Sequence, residues 1–310
     1  MESFRATQEC LQAIFRAMMS PWSEGFGLSS AFCPLYSITA LLLVLLWLRL
    51  KDPRGVRAGL AFISLKAWQA RRSVLTDGLW SLGYFGGLRV PVAALHVFCF
   101  ERSYQALLAW GDHWEPFGDG WELPDLLEGF LATAITMLAF DLAAYLIHRA
   151  MHRWQWLWTI HRVHHSVTFL TPLSNFRQHP LEPLLLSAAR GLAAGAALGG
   201  LHLLLPRATP VWMFGGLGVG FFLYMLTVHL HHAPVAVHYP RWVRAWFVSP
   251  HQHHIHHSAD PRHFDKNFGV IFAFWDRWGG TACDEELAGR ELTWGLGAYQ
   301  EPAPPELCLP

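Results

Sequence analysis

The chain has 310 residues, of which 53% are hydrophobic and only 15% charged, with 23 basic residues balanced by 23 acidic ones. Soluble domains carry about 25% charged residues, so this composition excludes an ordinary soluble globular protein and points to the bilayer. No nucleic-acid partner is expected of so evenly balanced a chain.

Residues 1–31 contain no continuous apolar run of the kind found in a cleaved signal peptide. Phe4, Leu11, Ile14 and Phe15 alternate there with Arg5, Glu9 and Arg16, which predicts a short surface helix. Apolar stretches of the ~20-residue length a spanning helix needs follow at 32–50, 79–100, 126–147, 181–205 and 211–230. Only Pro206-Arg-Ala-Thr-Pro210 separates the last pair, so they read as a helical hairpin around a tight turn. Segment 58–72 sets Phe62, Leu65 and Trp68 against Lys66, Arg71 and Arg72 and reads as an interfacial helix. Arg190 interrupts the fourth stretch, where a charge at mid-bilayer is costly, so the hairpin is shallow or Arg190 faces protein. The five cysteines (Cys10, Cys33, Cys99, Cys283, Cys308) form no CxxC pair and imply no disulfide framework.

The expected fold is an all-α integral membrane protein of about four to five transmembrane or hairpin helices with a cytoplasmic helical cap. Membrane-anchor helices are expected over 1–125, the catalytic region over 126–281, and a tail over 282–310, Pro-rich at 301–305. Arg49, Lys51, Arg54, Arg57, Lys66, Arg71 and Arg72 follow the first span, so this connection should be cytoplasmic. The connection 111–125 holds no Lys or Arg and should lie on the other side. Counting through, the end of the third span and both ends of the hairpin fall on the cytoplasmic face.

Nineteen histidines accompany these spans, and eight form three sets: His148 and His152; His161, His164 and His165; His253, His256 and His257. The spacings are H-x3-H, H-x2-H-H and H-x2-H-H. Residues at i, i+3 and i+4 share one helix face, so each set aims imidazoles at a common point. Packing does not require such sets, and a buried unsatisfied imidazole costs about 1–3 kcal/mol. Eight nitrogen ligands exceed the needs of one ion and suggest two. By contrast, isolated His96, His113 and His202 read as packing or surface residues.

In their order and intervals, the three sets resemble those of the fatty acid hydroxylase / sterol desaturase superfamily of membrane di-metal oxygenases. The resemblance extends to Asp141-Leu-Ala-Ala-Tyr145 before the first box and Asn175-Phe-Arg-Gln-His179-Pro-Leu-Glu182 after the second. It also includes Ser249-Pro250, His263-Phe-Asp-Lys-Asn267-Phe-Gly269 and Trp275-Asp276-Arg277. It covers roughly 126–281. His231-His232-Ala233-Pro234 departs from it, because Pro234 stands where many members have Asn.

The resemblance implies two iron ions, with zinc able to substitute on overproduction, and O2 as co-substrate. It adds His179, His229 and His232 as supplementary ligand candidates, with His231 a further possibility. His251 and His254 leave the face set by His253 and are expected in solvent or packed behind the ligands. Asp141, Asp265, Asn267 and Asp276 are candidates to orient imidazole N–H groups from behind. The implied reaction is hydroxylation or desaturation of an unactivated C–H position in a sterol, fatty acyl or alkyl lipid taken from the bilayer. Electrons would come from a separate cytochrome b5-like protein or a ferredoxin and reductase, because no haem-binding domain or ferredoxin cysteine run is recognisable.

The alternatives are a haem-binding or metal-binding membrane protein without oxygenase activity. A membrane cytochrome would place paired histidines inside opposing spans, and a transporter would place ligands on broken helices near the midplane. A zinc protease would need H-E-x-x-H, which the chain lacks.

Overall fold

The computed structural model describes residues 42–46, 48–50, 55–111, 121, 123–206, 212–213, 217–218, 229–284 and 292–297. The expected helix within 1–31, most of the first span, most of the acidic connection and most of the tail lie outside them. Helical elements dominate. In chain order they begin with α1 (Gly55–Gln69), α2 (Arg71–Gly83), a π-helical turn (Tyr84–Leu88) and α3 (Arg89–Gly111). There follow α4 (Asp125–Arg153), α5 (Gln155–His165), a 3-10 turn (Pro172–Phe176) and α6 (Leu181–His202). The short elements α7 (Arg241–Arg244), α8 (Pro250–His256) and α9 (Phe274–Trp278) complete the series.

Among the described residues, three helical stretches are long and apolar enough to cross a membrane: Arg71–Gly111, Asp125–Arg153 and Leu181–His202. The chain is therefore an integral membrane protein. The predicted span 79–100 is part of a longer helical run broken only by the π turn around Gly86-Gly87. The second arm of the predicted hairpin differs more. Trp212–Met213 and Leu217–Gly218 pair as short antiparallel strands, in a segment whose Gly215, Gly216, Gly218 and Gly220 weaken helix formation. The remainder of that arm, to residue 228, lies outside the described residues.

The chain divides into two compact units. The first takes its described residues from 85–143 and 183–226. In it, α6 approaches α3 through Gly191, Gly195 and Gly199, the small-residue spacing that brings membrane helices together. A Cβ on Gly191 would fall 3.1 Å from that of Cys99, and one on Gly199 would fall 2.9 Å from the Tyr104 carbonyl oxygen. Ala132, Leu198 and Leu205 form the buried core here, with Phe100 and Tyr104 packed against it. His96 Nδ1 lies 3.2 Å from the Ser187 carbonyl and His202 Nδ1 lies 2.7 Å from the Tyr104 hydroxyl, both packing roles. Arg190 stacks its guanidinium over the Phe140 ring at 5.0 Å, so it faces protein. Leu126, Phe130 and Leu192 are exposed, as expected of a surface solvated by lipid tails.

The second unit takes its described residues from 42–84, 144–182 and 227–310. Trp154 takes extended backbone between α4 and α5 (φ −109°, ψ 118°), so the chain turns between the first two His boxes. One face of α5 buries Leu157, Trp158, Ile160, His161, His164 and His165, the i, i+3, i+4 pattern of a core-facing helix. The segment after it is pinned to α2: Ser174 Oγ donates to Asp77 at 2.6 Å, and Arg177 Nη1 reaches both Asp77 (3.1 Å) and Ser73 (3.0 Å). Ser249 starts α8 in a reciprocal capping box with Gln252, followed by Pro250 at the first turn. These local signals put the third box on a helix of its own.

Candidate metal centre

Each His box sits where a helix presents it inward: the first at the end of α4, the second on α5, the third on α8. The described residues bring their nitrogens together in two groups. His148, His152, His161, His165 and His256 form one; His164, His232, His253 and His257 form the other, with ligand atoms within 4.8 Å of one another. The groups are adjacent, since the ring centroids of His165 and His257 are 4.6 Å apart and those of His164 and His165 5.8 Å.

Hydrogen bonds behind the rings set their tautomers. A carbonyl only accepts, so His148 Nδ1–H donates to Phe268 O and His256 Nδ1–H to Lys266 O, each at 2.8 Å. His161 Nδ1–H donates to the carboxylate of Glu182 at 2.9 Å. In a neutral imidazole the other nitrogen then carries only a lone pair. His148 Nε2 nevertheless lies 3.1 Å from His161 Nε2, and His165 Nε2 lies 3.2 Å from the same atom. The lone pairs of His148 and His161 repel at that distance unless a cation lies between them. Nitrogens bound to one ion at about 2.0–2.1 Å are about 3.0–3.4 Å apart, so the spacing fits a metal.

The second group repeats the spacing, with His253 Nε2 3.2 Å from His232 Nε2 and 3.1 Å from His257 Nε2. Among the described residues, further buried nitrogens lack hydrogen-bond partners: both of His152, Nε2 of His256 and Nδ1 of His253. Such groups are rare in native interiors, and a metal accounts for those turned toward it.

The surroundings keep these imidazoles neutral. Burial pulls the pKa values of His161, His165, His253, His256 and His257 well below the usual histidine value, with neighbouring imidazoles adding to the effect. Burial likewise brings His164 down to about 3. Neutral nitrogen is the ligating form.

Of the supplementary candidates, His232 joins the second group. His229 is buried but belongs to neither group. His179 is half-exposed and outside both; its Nδ1 accepts from Leu181 N at 3.3 Å, at the start of α6. His231 donates Nε2–H to Val248 O at 3.2 Å. His251 and His254 are not in solvent. Both are fully buried, because the side of α8 opposite the box packs inward too: His254 donates to Ala233 O at 3.0 Å and His251 stacks on His238 at 3.8 Å.

The proposed orienting carboxylates are redistributed. Asp141 is fully buried in α4, one helix with the first box. Asp276 braces a loop instead of an imidazole: its oxygens accept from Phe268 N and Gly269 N at 2.8 Å and from Thr281 Oγ1 at 2.7 Å. Asn267, at φ 55°, takes the left-handed conformation that Asn tolerates. Its amide ties the same loop to Gln252 O and Cys283 O. The two residues thus hold the carbonyls that orient His148 and His256. Asp265 is exposed, 3.7 Å from His152 Nδ1. Glu182, a carboxylate that meets the box imidazole of His161, was missed as a site residue. Its signal was its place in the run from Asn175 to Glu182, where it reads as an acidic first-turn residue of a spanning helix.

Comparison with known proteins agrees with the geometry. The fatty acid hydroxylase family profile matches residues 133–281, which include all three boxes. The chain belongs to the fatty acid hydroxylase / sterol desaturase superfamily. Among its relatives is mouse (Mus musculus) lathosterol oxidase, 26% identical over 164 residues, or 52% of this chain and 49% of the relative. The alkylglycerol monooxygenase of Caenorhabditis elegans is 28% identical over 51% of this chain and 28% of its own length. Ornithine lipid hydroxylase OlsE of Rhizobium tropici is 27% identical over 70% of this chain and 60% of its own. The chain thus spans about half the length of the curated relatives it matches first. No solved structure matches it.

Proposed function

We propose that this member of the superfamily is an O2-dependent lipid hydroxylase or desaturase holding two iron ions, one in each histidine group. The convergence of nine imidazoles into adjacent groups of five and four supports the reading most directly. His148, His152, His161, His165 and His256 would hold one ion, and His164, His232, His253 and His257 the other. When bound, the ions supply the O2-activating chemistry that oxidises an unactivated C–H bond.

The chain's own residues prepare that chemistry. Glu182 and the carbonyls of Phe268 and Lys266 hold the protons of His161, His148 and His256 on Nδ1, leaving Nε2 to ligate. Phe268 lies against His148, His152 and His256, with ring centroids 5.0–5.8 Å away, and Trp158 lies 5.1 Å from His152. These rings exclude water from the ligand cluster.

The substrate class is a membrane lipid, since sterol, alkylglycerol and ornithine-lipid enzymes all align with the region carrying the boxes. Either reaction consumes O2 with two electrons and two protons. Hydroxylation returns one water; desaturation returns two. The electrons come from a separate cytochrome b5-like protein or a ferredoxin and reductase, docking on the side of the boxes; charge asymmetry in the sequence supports the cytoplasmic side. Lipid profiling of cells with and without the gene tests this. A lipid gaining one oxygen or losing two hydrogens, only in expressing cells and not with His152→Ala, is expected. Identical lipidomes under aerobic growth with the protein present would overturn it.

A further inference from the structure

The second unit buries a carboxylate that no metal-ligand group contains. Asp77 lies on α2, outside the stretch 133–281 that the family profile matches, and is fully buried. Burying an ionised side chain is costly and is offset only where its partners are well placed. Here those partners come from the segment that follows the second His box. Ser174 Oγ donates to one carboxylate oxygen at 2.6 Å, and Arg177 Nη1 donates to the other at 3.1 Å.

Asp77 is the middle of a polar stripe at helical spacing. Ser73, Asp77 and Ser81 stand four residues apart on one face of α2. Ser73 Oγ accepts from Thr168 N at 3.2 Å and from Arg177 Nη1 at 3.0 Å, and Ser81 Oγ lies 3.4 Å from Leu173 O. Beyond them, the Tyr84 ring lies 5.3 Å from that of Phe176. The stripe is thus directed at 168–177, a segment whose one helical turn is the 3-10 turn Pro172–Phe176. Such a turn is bonded in poorer geometry than an α-helix, so the contacts from α2 fix where it sits.

The turn also touches a candidate metal ligand. The His164 ring hydrogen-bonds to the main chain of Ser174 and Arg177. Both of those N–H groups are already committed, Ser174 N to Thr171 O at 2.8 Å and Arg177 N to Ser174 O at 3.1 Å. The imidazole therefore donates to carbonyls, and its other nitrogen is left to ligate. Ser174 and Arg177 each meet Asp77 through the side chain and His164 through the main chain.

We propose that Asp77 is a positioning residue for the four-histidine group: by fixing Ser174 and Arg177, it aims the His164 imidazole toward His232, His253 and His257. The inference rests on the two-ion reading and assigns α2 a part in building the centre. Glu182 holds a ligand of the five-histidine group directly; Asp77 holds one of the other group through the main chain.

Cobalt(II) binding by the full-length protein tests this, read by competition with a chromophoric chelator and by the visible absorption of the bound ions. Wild type should bind two ions. Asp77→Ala should weaken one of them about 10–100-fold, the range for residues behind metal ligands, change its absorption bands, and leave the other ion unaffected. Asp77→Asn keeps an acceptor for Ser174 and should stay within about tenfold of wild type. Ser174→Ala leaves the Asp77–Arg177 pair in place and should weaken the same ion about three- to tenfold, so the test does not depend on Asp77→Ala folding. Asp77→Ala combined with Glu182→Ala should weaken both ions, because His161 belongs to the other group. The proposal alone is overturned if wild type binds two ions and both single alanine variants bind them as tightly. It is equally overturned if those variants lose affinity for the two ions alike, or if the double variant still holds one ion as tightly as wild type. Fewer than two ions on wild type would overturn the two-ion reading and this proposal with it.

Discussion

Glu182 offers the sharpest test of how the five-histidine group is built. Its carboxylate accepts from His161 Nδ1–H at 2.9 Å, with only 3% of the histidine and 2% of the glutamate side chain exposed. His161 Nε2 in turn is the atom that both His148 and His165 approach. Glu182→Ala leaves a buried donor without its acceptor, which costs about 1–3 kcal/mol because water cannot replace it. The ring is then also free to carry its proton on Nε2, the nitrogen needed for ligation. At about 1.4 kcal/mol per decade, metal retention should weaken about 10–100-fold, the range seen when partners behind metal ligands are removed. Glu182→Gln keeps an acceptor oxygen and loses only the charge, so about a tenfold loss is expected. The assay is elemental analysis of purified protein after dialysis against graded chelator, with thermal unfolding on the same samples. The alanine variant should lose about one metal per chain first, because His161, which Glu182 holds, belongs to one group. Wild-type and Glu182→Ala proteins with superimposable chelator curves would refute the reasoning.

His232→Ala should reduce metal content and turnover as strongly as His256→Ala, while His179→Ala should retain both metals; elemental analysis and product formation decide. Asp276→Ala unpairs two backbone amides and the Thr281 hydroxyl, so about 2–4 kcal/mol of stability should be lost, with Asp276→Asn intermediate in thermal unfolding. Metal-free protein should be destabilised by acid. The folded-state pKa values of His161, His165, His253, His256 and His257 are depressed, so below about 6.5 the unfolded chain binds more protons than the folded one. Its melting temperature should be flat from about pH 8 to 7 and fall steeply below about 6.5, and an unchanged value at pH 5.5 would contradict this. Cysteines introduced near Asp119 and Ser258 should label from opposite sides of the membrane; labelling of both from one side would overturn the cytoplasmic assignment of the boxes.

The sequence by itself determined the apolar character of α4 and α6 and the grouping of the eight box histidines, because both are periodic. A helix repeats every 3.6 residues whatever it packs against, so spacing reveals which side chains share a face. It also marked where α8 begins, since Ser249, Pro250 and Gln252 act on their own neighbours. Only the tertiary structure decided how the boxes are shared out. His164 and His165 are adjacent in sequence and enter different groups, while His256 crosses from the third box to the first. It also decided that His232 enters a group and His179 does not, and that Glu182 meets the His161 imidazole. Those outcomes depend on where chain segments separated by 13 to 120 residues come to lie. A lone histidine or carboxylate has no period to announce its partner, and its role is fixed by the ring nitrogen or carbonyl that folding brings within about 3 Å.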